Sequence, residues 1–343
     1  MKKNGLWLGA FGALALLLAV AEPVLLAKFL INGAGATFPE VIYTKWFEEF
    51  PKKYPDSQIN YQALGSGAGI RQLTEGTVDF GASDMPMTDA QISKLKVKPL
   101  HFPTVLGGIV PTYNIPGLKQ DLKFTPAVLA GIFLGKIKKW SDPELTKANP
   151  GVKLPDTDIL VVHRSDGSGT TFVFTDYLSK VSPEWKTVVG SNTSVKWPVG
   201  IGAEHNEGVA GLVKQSPNSI GYVELIYATQ NKMGYGAIQN AAGTFLRADL
   251  GSVTEAAAGA AKNMPDDFRV SITNAPGKQA YPIASFTWLL VPSKFADAEK
   301  KKVIVEFLRW MLTDGQKYAA GLSYAPLPKE VVAKEEKAIA LIQ

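Results

Sequence analysis

The 343-residue chain contains no cysteine and only three histidines, His101, His163 and His205, scattered without ligand spacing. A disulfide framework and a thiolate metal site are therefore excluded, and a histidine-built metal centre lacks its ligands. A large excess of one charge is also missing. The formal net charge is +5, and positive residues alternate with negative ones along the C-terminal helices instead of forming a basic block interleaved with aromatics. Nucleic acid is not the expected partner. The signatures of phosphoryl and acyl chemistry are missing too: Gly135-Lys136 is followed by Ile137 rather than by a hydroxyl residue, and there is no His-Glu-x-x-His and no Gly-x-Ser-x-Gly elbow. Without a carboxylate and histidine cluster to hold metals, the chain reads as a non-enzyme that carries no cofactor.

What is present is a balanced globular composition, 46% hydrophobic and 20% charged, in a chain long enough for two domains of ordinary size. Lys2 and Lys3 precede an apolar run from Leu6 to Val20, followed by Ala19-Val20-Ala21, which fits a small-x-small cleavage pattern. Residues 1–27 are expected to be a signal peptide, cut after Ala21 or after Ala27, and the protein to be exported to the periplasm. The apolar Val24-Leu25-Leu26-Ala27 keeps a retained anchor open as the other reading.

The rest of the chain is organised around Asp166-Gly167-Ser168-Gly169-Thr170-Thr171, which separates the apolar run Ile159 to Val162 from Phe172 to Leu178. This reads as strand, glycine turn, helix start. Gly167 and Gly169 permit close backbone approach, while the hydroxyls and the free amides of the first helical turn are expected to point one way and bind an anion. Arg164 adds a planar fork able to grip a tetrahedral oxyanion. Two further junctions repeat the plan. Phe29 to Asn32 runs into Gly33-Ala34-Gly35-Ala36-Thr37-Phe38-Pro39, with Pro39 at the expected first helical position, and Gln58 to Gln62 runs into Gly65-Ser66-Gly67-Ala68-Gly69 ahead of a helix beginning near Ile70.

Thr77 to Ser83 is expected as a strand ending at Asp84, with Thr88 placed to start the next helix. His101 to Val110 and Tyr281 to Leu290 are β-rich runs suited to crossing between domains. Helices are expected near Glu40 to Phe50, Pro126 to Leu134, Thr171 to Val181, Glu207 to Lys214, Ala296 to Leu312 and Pro328 to Ile342. Strands are expected near Ile159 to Val162 and Ile220 to Val223. Residues 240–265, rich in Ala and Gly, read as a helix-poor surface insertion, with an alanine-rich helix over Val253 to Met264 as the alternative. The pattern predicts an α/β fold of two mixed-sheet lobes joined by two extended crossings: residues 28–105 plus 283–343 form lobe I, and 106–282 form lobe II, with the ligand cleft between them.

Gly33 to Pro39, Thr77 to Asp84 and Arg164 to Thr170 together resemble the phosphate-binding proteins that serve bacterial phosphate ABC importers. Gly135 to Trp140 and Ile220 to Glu224 add to the likeness, which runs from about residue 30 to the end. The resemblance implies a two-lobed periplasmic binding protein fold of type II. It also implies high-affinity binding of inorganic phosphate, delivery to an inner-membrane permease and its ATPase, and a monomer. It places phosphate on Thr37, Phe38, Ser66, Asp84, Arg164, Ser168, Gly169 and Thr170. Asp166, two residues from Arg164, is expected either to pair with it or to cap the following helix. Asp84 is intelligible if the ligand carries a proton. An ionised carboxylate only accepts, so it rewards a protonated phosphate and penalises fully ionised sulfate; the alternative is a cap for the helix after Met85-Pro86.

Overall fold

The computed structural model describes residues 29–343, so the leader, its two cleavage positions and the alternative anchor lie outside the described residues. The first part of the chain runs β1 (Phe29–Gly35), α1 (Glu40–Lys53), β2 (Ser57–Ala63), α2 (Ser66–Glu75), β3 (Phe80–Ser83), the single turn α3 (Asp89–Ile92) and the long β4 (Pro99–Asn114). The middle continues with β5 (Lys123–Phe124), α4 (Pro126–Phe133), α5 (Pro143–Ala148), β6 (Leu160–Arg164), α6 (Gly169–Val181), α7 (Pro183–Val188), β7 (Ile201–Ala203), α8 (His205–Gln215), β8 (Ser219–Glu224) and α9 (Leu225–Gln230). Then come β9 (Gly234–Tyr235), β10 (Ala237–Gln239), β11 (Phe245–Leu246), α10 (Leu250–Lys262), β12 (Ala284–Pro292), α11 (Ala298–Thr313) and α12 (Lys329–Ile339).

One nine-stranded sheet carries the molecule, in the order β2-β1-β3-β12-β4-β8-β6-β7 with β9 on β4; β11, β10 and β5 form a separate small sheet. Two arms of the large sheet share one plan. In the first, β1 lies between β2 and β3 and is parallel to both; in the second, β6 lies between β7 and β8 and is parallel to both. Such an arrangement leaves a crevice beyond the carboxyl end of the central strand, where the chain leaves in opposite directions.

β4 joins the arms: Pro99 to Gly108 pair antiparallel with β12, with an irregularity that leaves Thr104 out of register, and Ile109 to Asn114 pair with β8. It is buried along almost its whole length, which explains its continuous apolar run. Each arm has its own aromatic core. Tyr43, Trp46, Phe50, Phe307 and Trp310 pack in the first. Phe133, Phe174, Trp197 and Tyr222 pack in the second, with Phe174 and Tyr222 stacked at 4.4 Å.

The structure corrects several boundaries. Residues 240–265 are no helix-poor insertion: α10 starts at an Asp249/Ser252 capping box and buries Val253, Ala256, Ala257 and Ala261. Alanine's small side chain is what lets a helix lie close against neighbouring elements. The strand expected from Thr77 begins only at Phe80, because Gly76, at φ 71°, closes α2 and the Thr77 amide still bonds Gln72 O. Gly67 and Gly69 belong to α2 rather than to a turn before it. A side chain on Gly69 would lie 2.6 Å from Gly35 Cα and 2.7 Å from Ala34 O, so glycine there lets the helix rest directly on β1. Pro39 is the cap residue of α1, one position ahead of the helix proper.

Candidate functional site

Every expected site residue lies at the carboxyl end of a parallel strand or at the start of the helix that follows. Thr37 and Phe38 come between β1 and α1, Ser66 is the first residue of α2, and Asp84 follows β3. Arg164 ends β6, Ser168 caps α6, and Gly169 and Thr170 begin it. The two arms meet so that these segments form one buried cluster, with Thr37, Ser66, Asp84, Arg164, Ser168 and Thr170 each at most 3% exposed. The arms touch through backbone there, the Gly67 amide donating to Gly167 O at 2.8 Å. Gly169 packs against Ser66 and Asp84 so closely that a Cβ on it would lie 2.7 Å from Asp84 Cβ.

Three helices aim their N-termini at this cluster. Neither α1 nor α2 has a side-chain cap, so the first-turn amides are left to other partners, while α6 is capped by Ser168 Oγ on the Thr171 amide at 3.0 Å. The Gly169 and Thr170 amides, at the first two helical positions, have no intrahelical acceptor. Arg164 is held by a two-point pair with Asp166: Nε donates to Oδ1 at 2.6 Å and Nη2 to Oδ2. That settles the two readings of Asp166 in favour of pairing. Burial pushes the Asp166 carboxyl up, but the hydrogen bonds and charge of Arg164 outweigh this and hold it below its ordinary value. One edge of the guanidinium is thus committed, and Nη1 faces Thr37 Oγ1 at 3.3 Å.

The hydroxyls share one polarity. Thr37 Oγ1 accepts from Arg164 Nη1 and from Asn206 Nδ2, the latter at 2.9 Å. Thr170 Oγ1 accepts from the same Asn206 amide at 3.1 Å, Ser66 Oγ from the Asp84 amide at 3.1 Å, and Ser168 Oγ from Thr171 N. Those nitrogens can only donate, so each hydroxyl keeps its proton for something else. Thr171 departs from the expected single direction, since its hydroxyl turns into the core to meet Tyr222 Oη at 2.6 Å.

Against these donors stands an unsatisfied acceptor on Asp84, and Glu224 Oε1, whose residue donates its backbone N–H to Asn206, is another buried carboxylate oxygen without a partner among the described residues. Asp84 Oδ1 accepts from Thr287 Oγ1 at 2.7 Å, while Oδ2 is buried without a partner. Burial pushes the Asp84 carboxyl up to about 7, opposed by the Thr287 hydrogen bond, the Arg164 charge and Ser66. Thr88, not Asp84, caps the helix after Met85-Pro86, which removes the capping reading.

Sequence reasoning missed the residues that hold this set in place. Asn206 is fully buried and joins Thr37 to Thr170, Tyr227 donates to Thr37 O at 2.6 Å, Tyr324 to Phe38 O at 2.6 Å, and Thr287 holds Asp84. Only the repeated strand plan could have pointed to one of them: Asn206 lies in the first turn of α8 as Ser66 lies in that of α2, each helix following the outer strand of its arm.

Two arms meeting over buried hydroxyl and amide donors, with the unpartnered Asp84 Oδ2 among them, define a binding protein for a small tetrahedral oxyanion. The family model described as PBP superfamily domain matches residues 21–315. The phosphate-binding protein PstS of Xylella fastidiosa (strain Temecula1) is 47% identical over 307 residues, 89% of this chain and 84% of the relative. That of Pasteurella multocida is 45% identical over 305 residues, 89% and 88% of the two chains. The chain belongs to the PstS family of phosphate-binding proteins. In fold it also matches a phosphate-binding protein from Stenotrophomonas maltophilia, with a TM-score of 0.70 at 18% identity, over 90% of this chain and 94% of the other.

Proposed function

We propose that the protein binds one inorganic phosphate between the two arms and delivers it to a phosphate ABC importer as its substrate-binding component, without catalysing a reaction. The observation that carries this reading is the set of donors at three helix starts facing the orphaned carboxylate oxygen Asp84 Oδ2. Thr37, Ser66, Ser168 and Thr170 would donate hydroxyl protons, Phe38, Gly169 and Thr170 backbone amides, and Arg164 its uncommitted N–H groups, with Asp166 orienting the fork. Asp84 would accept the proton that phosphate carries. Lobes of 28–105 plus 283–343 and of 106–282 fit the passage of β4 from β12 to β8 at Gly108 and Ile109, with α10 packed beside that junction.

On this reading its partners are the importer's permease and ATPase, and it acts in the periplasm as a monomer after removal of residues 1–27; membership of the PstS family supports this reading. Among the described residues, no helix is long and apolar enough to cross a membrane.

Calorimetry on protein freed of ligand by unfolding and refolding tests the proposal. Saturable one-to-one binding of phosphate, micromolar or tighter, is expected together with no competition from sulfate. Heat with sulfate or molybdate and none with phosphate would overturn the assignment.

A further inference from the structure

We propose that Asn206 is a positioning residue: together with Arg164 Nη1 on Thr37, it decides which way the Thr37 and Thr170 hydroxyls point, and so makes them donors to the ligand. The inference rests on the phosphate site proposed above and assigns to Asn206 a role that involves no contact with the anion. Its amide cannot be turned round. Asn206 Oδ1 accepts from the Glu224 backbone N–H at 3.0 Å, and a peptide N–H has no other role than donor, so Nδ2 must face the two threonines. Nδ2 carries two protons and meets two oxygens, Thr37 Oγ1 at 2.9 Å and Thr170 Oγ1 at 3.1 Å.

Thr37 lies in the first arm and Thr170 in the second, so one buried amide polarises hydroxyls on both sides of the cleft. The geometry that holds it is itself tied to the site. His205, in the left-handed region at φ 62°, donates its backbone N–H to Asp166 Oδ1 at 3.2 Å, and Glu224 Oε2 accepts the Ile226 amide at 2.8 Å. A left-handed non-glycine residue is sustained only where its surroundings over-determine it. The start of α8 at His205 therefore fixes the place of Asn206, the next residue.

The test is phosphate affinity at pH 7.5 in a double-mutant cycle. Asn206→Ala is compared in the wild-type background and in a Thr37→Val/Thr170→Val background, with the melting temperature of each ligand-free variant recorded. In the wild-type background the substitution should weaken binding about tenfold, since freed hydroxyls no longer have their protons directed at the anion. With both threonine hydroxyls removed it should change affinity less than about threefold. A residue that merely supports the fold would cost the same in both backgrounds, and that result overturns the inference. Asn206→Asp gives a second reading: its carboxylate would accept both hydroxyl protons, so binding should fall about 100-fold. Binding by Asn206→Asp as tight as by Asn206→Ala would also overturn it. If Asn206→Asp does not fold, the alanine cycle decides without it. Failure of the wild-type protein to bind phosphate removes the site assignment and this inference together, whereas wild-type binding with an additive cycle removes only the inference.

Discussion

Asp84 is the residue on which ligand choice turns under the proposed function. Its Oδ2 is a buried acceptor with no protein partner, and an unmade hydrogen bond to a buried charged group costs more than about 3 kcal/mol. A ligand that brings a proton removes that cost; a fully ionised one sets oxygen against oxygen. Asp84→Asn, which can present a donor instead, should therefore admit sulfate at pH 8.5, above the value of about 7 to which burial pushes the Asp84 carboxyl, measured by competition against phosphate, while wild type, its carboxylate ionised, rejects it. Arsenate, which carries a proton as phosphate does, should already bind wild type. Equal rejection of sulfate by both proteins would return selectivity to size or donor count.

Asp84 also has a pH signature. Its folded value, about 7, lies above that of an unfolded Asp, so its contribution to stability is fully present below about 3.9 and lost as pH rises through about 7. Ligand-free wild type should lose melting temperature relative to Asp84→Asn across that window; parallel melting curves from pH 4 to 8 would contradict the burial argument. The hydroxyls and glycines of the site were legible because they sit in short runs at strand-to-helix junctions. Asn206, Tyr227, Thr287 and Tyr324 were not, because each reaches the site from a distant stretch through a single side chain in an ordinary sequence context.

Elements position these residues, and glycine sets how closely the elements meet. Gly169, the first residue of α6, faces Ser66 at the start of α2 and Asp84 after β3 with no room for a methyl group. Gly169→Ala should prevent that approach and weaken phosphate binding at least about tenfold, an effect read by calorimetry. The melting temperature of the ligand-free protein should hardly move, because α6 itself gains a better helix former. A large drop in melting temperature with affinity intact would show that the contact serves the fold and not the ligand. Junction glycines declare themselves in the sequence only partly. Gly65, at φ 91°, is a turn residue, but Gly67 and Gly69 lie inside α2, and nothing local distinguishes a glycine needed for φ from one needed for close packing. The alanine-rich α10 was obscured for a related reason: its small side chains leave little apolar periodicity, although the burial of Val253, Ala256 and Ala257 organises it.

For the molecule as a whole, the strand order explains why the ligand groups come from such scattered positions. Two arms repeat one plan about β1 and β6, and the crevice at each carboxyl end faces the other because β4 runs without interruption from one arm to the other. Alternating strands and helices, and the long apolar runs that become β4 and β12, were readable from hydrophobic patterning. The merging of both arms into one nine-stranded sheet was not, since pairing across β4 and β12 depends on which distant strands meet. With the site residues at most 3% exposed, the proposed function requires the arms to separate for an anion to enter, which makes this arrangement the closed one on that proposal. The most direct measurement is the crystal structure of the protein grown with phosphate at neutral pH. The account predicts one tetrahedral ion between the arms, with an oxygen within hydrogen-bond distance of Asp84 Oδ2 and others on Ser66, Ser168, Thr170 and Arg164. Phosphate bound elsewhere, or a closed cleft holding none, would contradict it.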